Sequence, residues 1–153
     1  MRGNGMIYAV DPTPLNWLYV LFNTMEETVR ADRVGRIVPS LATNWKWVDS
    51  ITLELKLREG VIFHNGQPFS VNDVQENFSQ IGPWIAPHPP GTWLNLPKGR
   101  QLQIIDEYTV RILFPKTDGL ALGKLRGYHF ANKLFWQKLG FGYKTLGTAE
   151  GHW

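Results

Sequence analysis

Residues 41–74, with the sequence LATNWKWVDSITLELKLREGVIFHNGQPFSVNDV, decide how this chain folds. Residues 51–58 alternate strictly between apolar and polar side chains. The apolar positions are Ile51, Leu53, Leu55 and Leu57, and the polar ones are Thr52, Glu54, Lys56 and Arg58. A period of two places every second side chain on the same face of a strand, whereas a helix would scatter these leucines around its axis. The pattern predicts a strand with one buried face and one face in water.

The residues after this strand predict a tight turn and then a helix. A short apolar run, 61–63, leads into Asn65-Gly66, a pair that favours turns because both residues tolerate positive φ angles. Ser70 stands three residues before Asp73, which resembles a capping box with Asp in place of the usual Glu. We therefore predict a helix over residues 71–81.

The rest of the chain is predicted from proline positions, caps and apolar spacing. Five prolines between residues 83 and 97 exclude regular structure there. In chain order, the further predicted elements are a strand over 6–10, a helix over 15–30, a connection over 32–40, an irregular segment over 81–99, a hairpin from 101–105 and 108–114, and helices over 120–125 and 132–139. A close antiparallel hairpin among short helices predicts an α+β fold.

Composition limits the classes of function. The 153 residues fit one domain, and 43% hydrophobic and 19% charged residues are ordinary for a globular protein. The net charge is +3, but the 16 Lys and Arg residues are scattered, which favours a solvated surface over a nucleic-acid partner. Because cysteine is absent, disulfides and thiolate metal sites are excluded. Residues 1–5 do not open a signal peptide, since no apolar region follows them.

A series of motifs over most of residues 8–115 resembles one protein family. Its centre is LREGVIFHNGQPF at 57–69, followed by Asp73-Val74. The flanking motifs, in order, are Val10-Asp11-Pro12, Glu27-Thr28-Val29, IVPSLA at 37–42 with Trp45, and IDEYTV at 105–110. Together they resemble the family 5 solute-binding proteins of ABC importers, which include oligopeptide, dipeptide and nickel binders.

The resemblance implies a fold and a role. Family members are several times longer than this chain, and their two lobes close on a ligand. Residues 1–153 are therefore expected to be a segment of the first lobe, truncated at the C-terminus, within a periplasmic-binding-protein-like fold. The expected role is capture of a peptide-like solute at the periplasmic or extracellular face and its delivery to ABC permease subunits. A monomer without cofactors is expected.

The resemblance also singles out candidate ligand contacts. In family members the stretch just after the Asp-Pro turn lines the cleft, and here that stretch includes Leu15, Asn16 and Trp17. Asn16 offers a donor and an acceptor, and Trp17 offers a flat apolar face. The structural alternative is a helix cap with one core aromatic. Trp84 and Trp93 could line a ligand wall beside His88, although pinning their own loop is favoured.

Other classes of function have less support. His64 lies in the predicted turn and is interpreted as a turn residue, because one histidine is not a metal site and the four histidines show no ligand spacing. No G-x-S-x-G or H-E-x-x-H motif is present, so an enzyme is not expected. A stand-alone carbohydrate- or aromatic-binding module remains an alternative because the chain has seven Trp residues.

Overall fold

The secondary structure of the chain centres on an antiparallel sheet. The computed structural model describes residues 25–81 and 96–134. In chain order its elements are β1 (Val29–Ala31), β2 (Ile37–Pro39), β3 (Ala42–Trp47), β4 (Thr52–Leu57), α1 (Val71–Ile81), β5 (Gln101–Asp106), β6 (Thr109–Leu113), α2 (Ala121–Lys124) and a 3₁₀ turn (Leu125–Gly127). The α+β class is confirmed. The predicted strand over 6–10 lies outside the described residues.

The larger sheet has four antiparallel strands in the order β3-β4-β6-β5. The alternation at 51–58 is confirmed in β4, where Leu53, Leu55 and Leu57 are buried. Leu55 lies directly opposite Val110, which is also buried, so the apolar faces of β4 and β6 form one surface. The assignment of Ile51 to the buried face is wrong, because Ile51 precedes the strand and is 37% exposed.

Helix α1 packs its apolar side onto the core and begins where the sequence predicts. Val71, Val74 and Phe78 are buried, a spacing that puts them on one helical face. Oδ2 of Asp73 accepts hydrogen bonds from the Ser70 backbone N–H at 3.0 Å and the Ser70 hydroxyl at 2.9 Å. The carboxylate half of the predicted capping box is therefore present, while the Ser70 hydroxyl donates to Asp73 instead of capping the backbone.

Two predictions for residues 25–40 are wrong, whereas residues 15–24 of the predicted helix lie outside the described residues. Residues 29–31 are a strand and not the end of a helix, and the supposed connection over 32–40 contains strand β2. Strand β1 pairs antiparallel with β2 through a turn in which the Asp32 carboxylate accepts the backbone N–H groups of Val34 and Arg36. Gly35 has a φ angle of +84°. This side-chain-stabilised turn and the pairing with β2 account for the strand at residues 29–31.

The hairpin and the helices near the C-terminus are partly as predicted. Strands β5 and β6 pair antiparallel, which confirms the hairpin. The helix predicted over 120–125 is limited to α2 and continues as the 3₁₀ turn. Of the helix predicted over 132–139, residues 133–134 are helical, and those beyond 134 lie outside the described residues. Strand β3 was not predicted, because its exposed side chains give no clean alternation.

Candidate functional site

The predicted ligand-contact residues Leu15, Asn16 and Trp17 lie outside the described residues. Trp84, His88 and Trp93 also lie outside them. These assignments therefore stay predictions. The described residues show the contacts made by the motifs at 27–29 and 57–69 and by helix α1.

The turn around His64 is formed by backbone hydrogen bonds. The N–H of Gly66 donates to the Phe63 carbonyl at 2.8 Å, and the N–H of Phe63 donates to the Gln67 carbonyl at 2.8 Å. Gly66 has a φ angle of +82°, which matches the positive φ predicted for it. Asn65 has a negative φ angle, and its side-chain oxygen accepts a hydrogen bond from the Gln67 N–H. The interpretation of this segment as a turn is confirmed, whereas the positive φ expected at Asn65 is wrong.

Aromatic contacts attach this turn to the core. The ring centroid of Phe63 lies 5.9 Å from that of Phe69, and the centroid of Phe69 lies 5.6 Å from that of Phe130. The Asn132 amide donates to the Gln67 side chain at 3.1 Å. The turn is therefore joined to the segment around residue 130 through its phenylalanines and through Gln67.

Asn77 on helix α1 is a buried polar residue that the sequence analysis missed. Its side-chain amide donates to the Ala131 carbonyl at 2.6 Å, and its side-chain oxygen accepts the Ala131 N–H at 2.9 Å. The nitrogen and the oxygen of the Asn77 amide thus both bind the backbone of Ala131. No local signal reveals this pairing, since the partners lie 54 positions apart.

A second polar group joins the buried side chains of Glu27 and His129 to the exposed side chain of Arg30. Glu27 and His129 form an isolated antiparallel bridge, and they are 2% and 6% exposed. The Arg30 Nε atom lies 2.6 Å from Oε1 of Glu27. Burial lowers the pKa of His129, partly opposed by the negative charge of Glu27. Glu27 belongs to a motif that sequence analysis found, but His129 does not, so its partner could not be predicted.

The described residues contain no metal-binding cluster. Across residues 25–81 and 96–134, no three His, Asp or Glu side chains come together in a way that could hold a metal ion. In the same ranges, no helix has the length and apolar character needed to cross a membrane.

Comparison with known families gives these motifs a context. The family model "Bacterial extracellular solute-binding proteins, family 5 Middle" matches residues 36–148. This chain belongs to family 5. That result confirms the resemblance drawn from residues 57–74, and because family 5 members are solute-binding proteins, it agrees with the expectation that the chain is not an enzyme. No curated protein sequence matches the chain.

Solved structures share the fold of this family 5 chain. An ABC transporter substrate-binding protein from Sinorhizobium meliloti has a TM-score of 0.61 and 29% identity, covering 73% of this chain and 23% of that chain. A putative peptide binding protein, AppA, from Clostridium difficile has a TM-score of 0.66 and 20% identity, with coverages of 89% and 30%. The periplasmic binding protein DppA from Helicobacter pylori, in complex with peptide STSA, has a TM-score of 0.62 and 18% identity, with coverages of 86% and 29%.

These comparisons bear on fold and on length. They confirm that the chain forms part of a periplasmic-binding-protein-like fold with antiparallel sheets. The chain spans between 23% and 30% of the length of the three solved structures.

Proposed function

We propose that this chain is a first-lobe segment of the substrate-binding component of an ABC importer. The component would capture a peptide-like solute outside the cytoplasm and deliver it to the permease. The observation that carries the proposal is the family 5 match over residues 36–148. The solute class is supported by two relatives, one described as a putative peptide binding protein and one solved with a peptide.

The mechanism is non-covalent. Two lobes close around the solute, and closure requires that the solute bind the closed state more tightly than the open one. Peptide recognition rests on backbone hydrogen bonds combined with roomy side-chain pockets. No cofactor takes part, and the receptor works as a monomer that docks on permease subunits at the periplasmic or extracellular face.

Leu15, Asn16 and Trp17 are the proposed solute contacts of this segment. Asn16 would hydrogen-bond to the solute backbone, and Trp17 would pack against an apolar part of it. Further along the chain, residues 27–28 are held between two other segments by backbone hydrogen bonds, and residues 18–24 lie outside the described part of the chain.

Flanking DNA provides the first test. We expect genes for ABC permease subunits beside the coding region of this chain. Their absence, together with binding of residues 1–153 to a glycan array, would contradict the receptor and favour a stand-alone carbohydrate- or aromatic-binding module. Binding that weakens steeply with rising salt on a nucleic-acid probe would contradict both.

A further inference from the structure

The contact between Glu27 and His129 joins two segments that are far apart in the sequence. The Thr28 N–H donates to the Tyr128 carbonyl at 2.9 Å, and the Phe130 N–H donates to the Glu26 carbonyl at 3.2 Å. The Thr28 hydroxyl donates to the same Tyr128 carbonyl across a separation of 100 residues. We call residues 26–30 and 127–131, with these bonds, the Glu27–His129 joint.

Residues 27–28 of the joint are bonded to a third segment of the chain as well. On its other side, the carbonyls of Glu27 and Thr28 accept the N–H groups of Leu41 and Ala42 at 3.2 Å and 2.8 Å. Residues 27–28 therefore lie between the segment at 41–42 and the segment at 128–130. Opening the joint would free one side of the strand into which the chain from residues 15–17 leads.

The charged side chains of the joint are Glu26, Glu27 and Arg30, and of these only Glu27 is buried. The guanidinium of Arg30, 2.6 Å from Oε1, balances the Glu27 carboxylate, whereas Glu26 is exposed to water. Arg126, the charged residue of the 3₁₀ turn, is exposed, and Lys124 pairs with Asp118 at 2.6 Å. A proton on His129 would therefore add a positive charge to a site that is nearly closed to water, which costs free energy.

We propose that the Glu27–His129 joint is an acid-sensitive latch. With a neutral imidazole the joint is closed, and proton uptake by His129 opens it by separating residues 26–30 from residues 127–131. The opening is local, because residues 26–30 and 127–131 lie outside the four-stranded sheet. This inference goes beyond the proposed function and does not require a solute.

The direction of the pH effect follows from burial. Burial lowers the pKa of His129, and Arg30 lowers it further, while Glu27 and a hydrogen bond to the Gly127 backbone act in the opposite direction. In the opened joint the imidazole would have its ordinary value of about 6.5. The open state therefore binds protons more readily, and the stability of the joint is lost as the pH falls below that value.

Nuclear magnetic resonance on the 153-residue chain tests the proposal. The chemical shifts of the His129 ring protons, followed against pH, should give a pKa below the range of an ordinary imidazole. Amide exchange, corrected for the intrinsic effect of pH, should show several-fold lower protection of Thr28 and Phe130 at pH 5 than at pH 7. The amides of Leu57 and Phe114, which donate to Tyr108 and Ile51 within the sheet region, serve as internal controls and should keep their protection.

Two variants complete the test. His129→Gln should remove the pH dependence at Thr28 and Phe130, whereas His64→Gln, which changes an exposed residue of the turn, should leave it intact. A measured pKa of His129 at or above the ordinary range for an imidazole would overturn the proposal. So would equal loss of protection at all four amides, or pH dependence that survives in His129→Gln. If His129→Gln fails to fold, the titration of the unmodified chain decides alone.

Discussion

Neighbouring residues in β4 show how one position decides between core and surface. Leu55 is 2% exposed and lies among the buried leucines of the sheet. Glu54, one residue earlier, faces the opposite side, where its Oε1 lies 2.9 Å from Lys46 Nζ and its Oε2 lies 2.7 Å from Arg111 Nη2. The hydrogen bond from Lys46, followed by that from Arg111, lowers the pKa of Glu54. The two side chains should therefore affect stability through different forces.

Replacing Leu55 by Ala should lower the free energy of unfolding by about 2–5 kcal/mol, because it leaves a cavity in a buried face. Glu54→Gln keeps the shape of the side chain and removes its charge, and it should cost much less, since ion pairs that water can reach contribute little. Urea unfolding of both variants measures the difference. Equal losses would contradict the assignment of the two faces.

Gly66 offers a residue-scale test of backbone conformation. Its φ angle is +82°, and a Cβ at this position would meet nothing within 4 Å, so strain and not crowding would set the effect of a side chain. Gly66→Val should destabilise by about 1–2 kcal/mol. Gly119, where space is also open and φ is not in the left-handed region, provides the matched control, and Gly119→Val should change the melting temperature little. Equal melting temperatures for the two variants would refute this account.

At the scale of elements, the sequence predicted those helices and strands that are stabilised by residues close together in the chain. Helix α1 begins and ends as predicted over 71–81, because its capping residues, Ser70 and Asp73, and its apolar spacing are local features of the sequence. Strands β1 and β2 were missed, because they are three residues long and are held by pairing and by the Asp32 turn. The buried contacts of Asn77 and His129 were missed for the same reason, since each partner lies far along the chain.

Helix α1 depends on one such long-range contact. Asn77→Ala removes both hydrogen bonds to Ala131 and leaves a buried N–H and a buried carbonyl without their partner. The free energy of unfolding should fall by at least about 1–3 kcal/mol, although Ala favours helices. Gln75→Ala, on the exposed face of the same helix, should be nearly neutral. Thermal unfolding compares the two, and a neutral Asn77→Ala would show that the contact contributes nothing.

At the scale of the whole molecule, the described residues form a four-stranded sheet, a two-stranded sheet, the short helix α2 and helix α1, which holds the segment near residue 131. The family could be predicted from the sequence because its motifs follow one another within residues 8–115. The solute could not, since the motifs resemble those of oligopeptide, dipeptide and nickel binders alike. The chain spans 23% and 30% of two solved relatives, so under the proposed function it would supply one wall of a cleft at most.

That share predicts weak solute binding by residues 1–153 alone. One wall offers a fraction of the contacts, whereas the entropy cost of association hardly changes. Calorimetric titration with di- to pentapeptides should therefore show no binding tighter than about millimolar, near −4 kcal/mol. A receptor-length chain that contains these residues and a second lobe should bind in the micromolar range or better, and Asn16→Ala and Trp17→Ala should weaken that binding while Gln75→Ala should not. Micromolar binding by residues 1–153 alone would contradict the two-lobed receptor and favour a self-contained module.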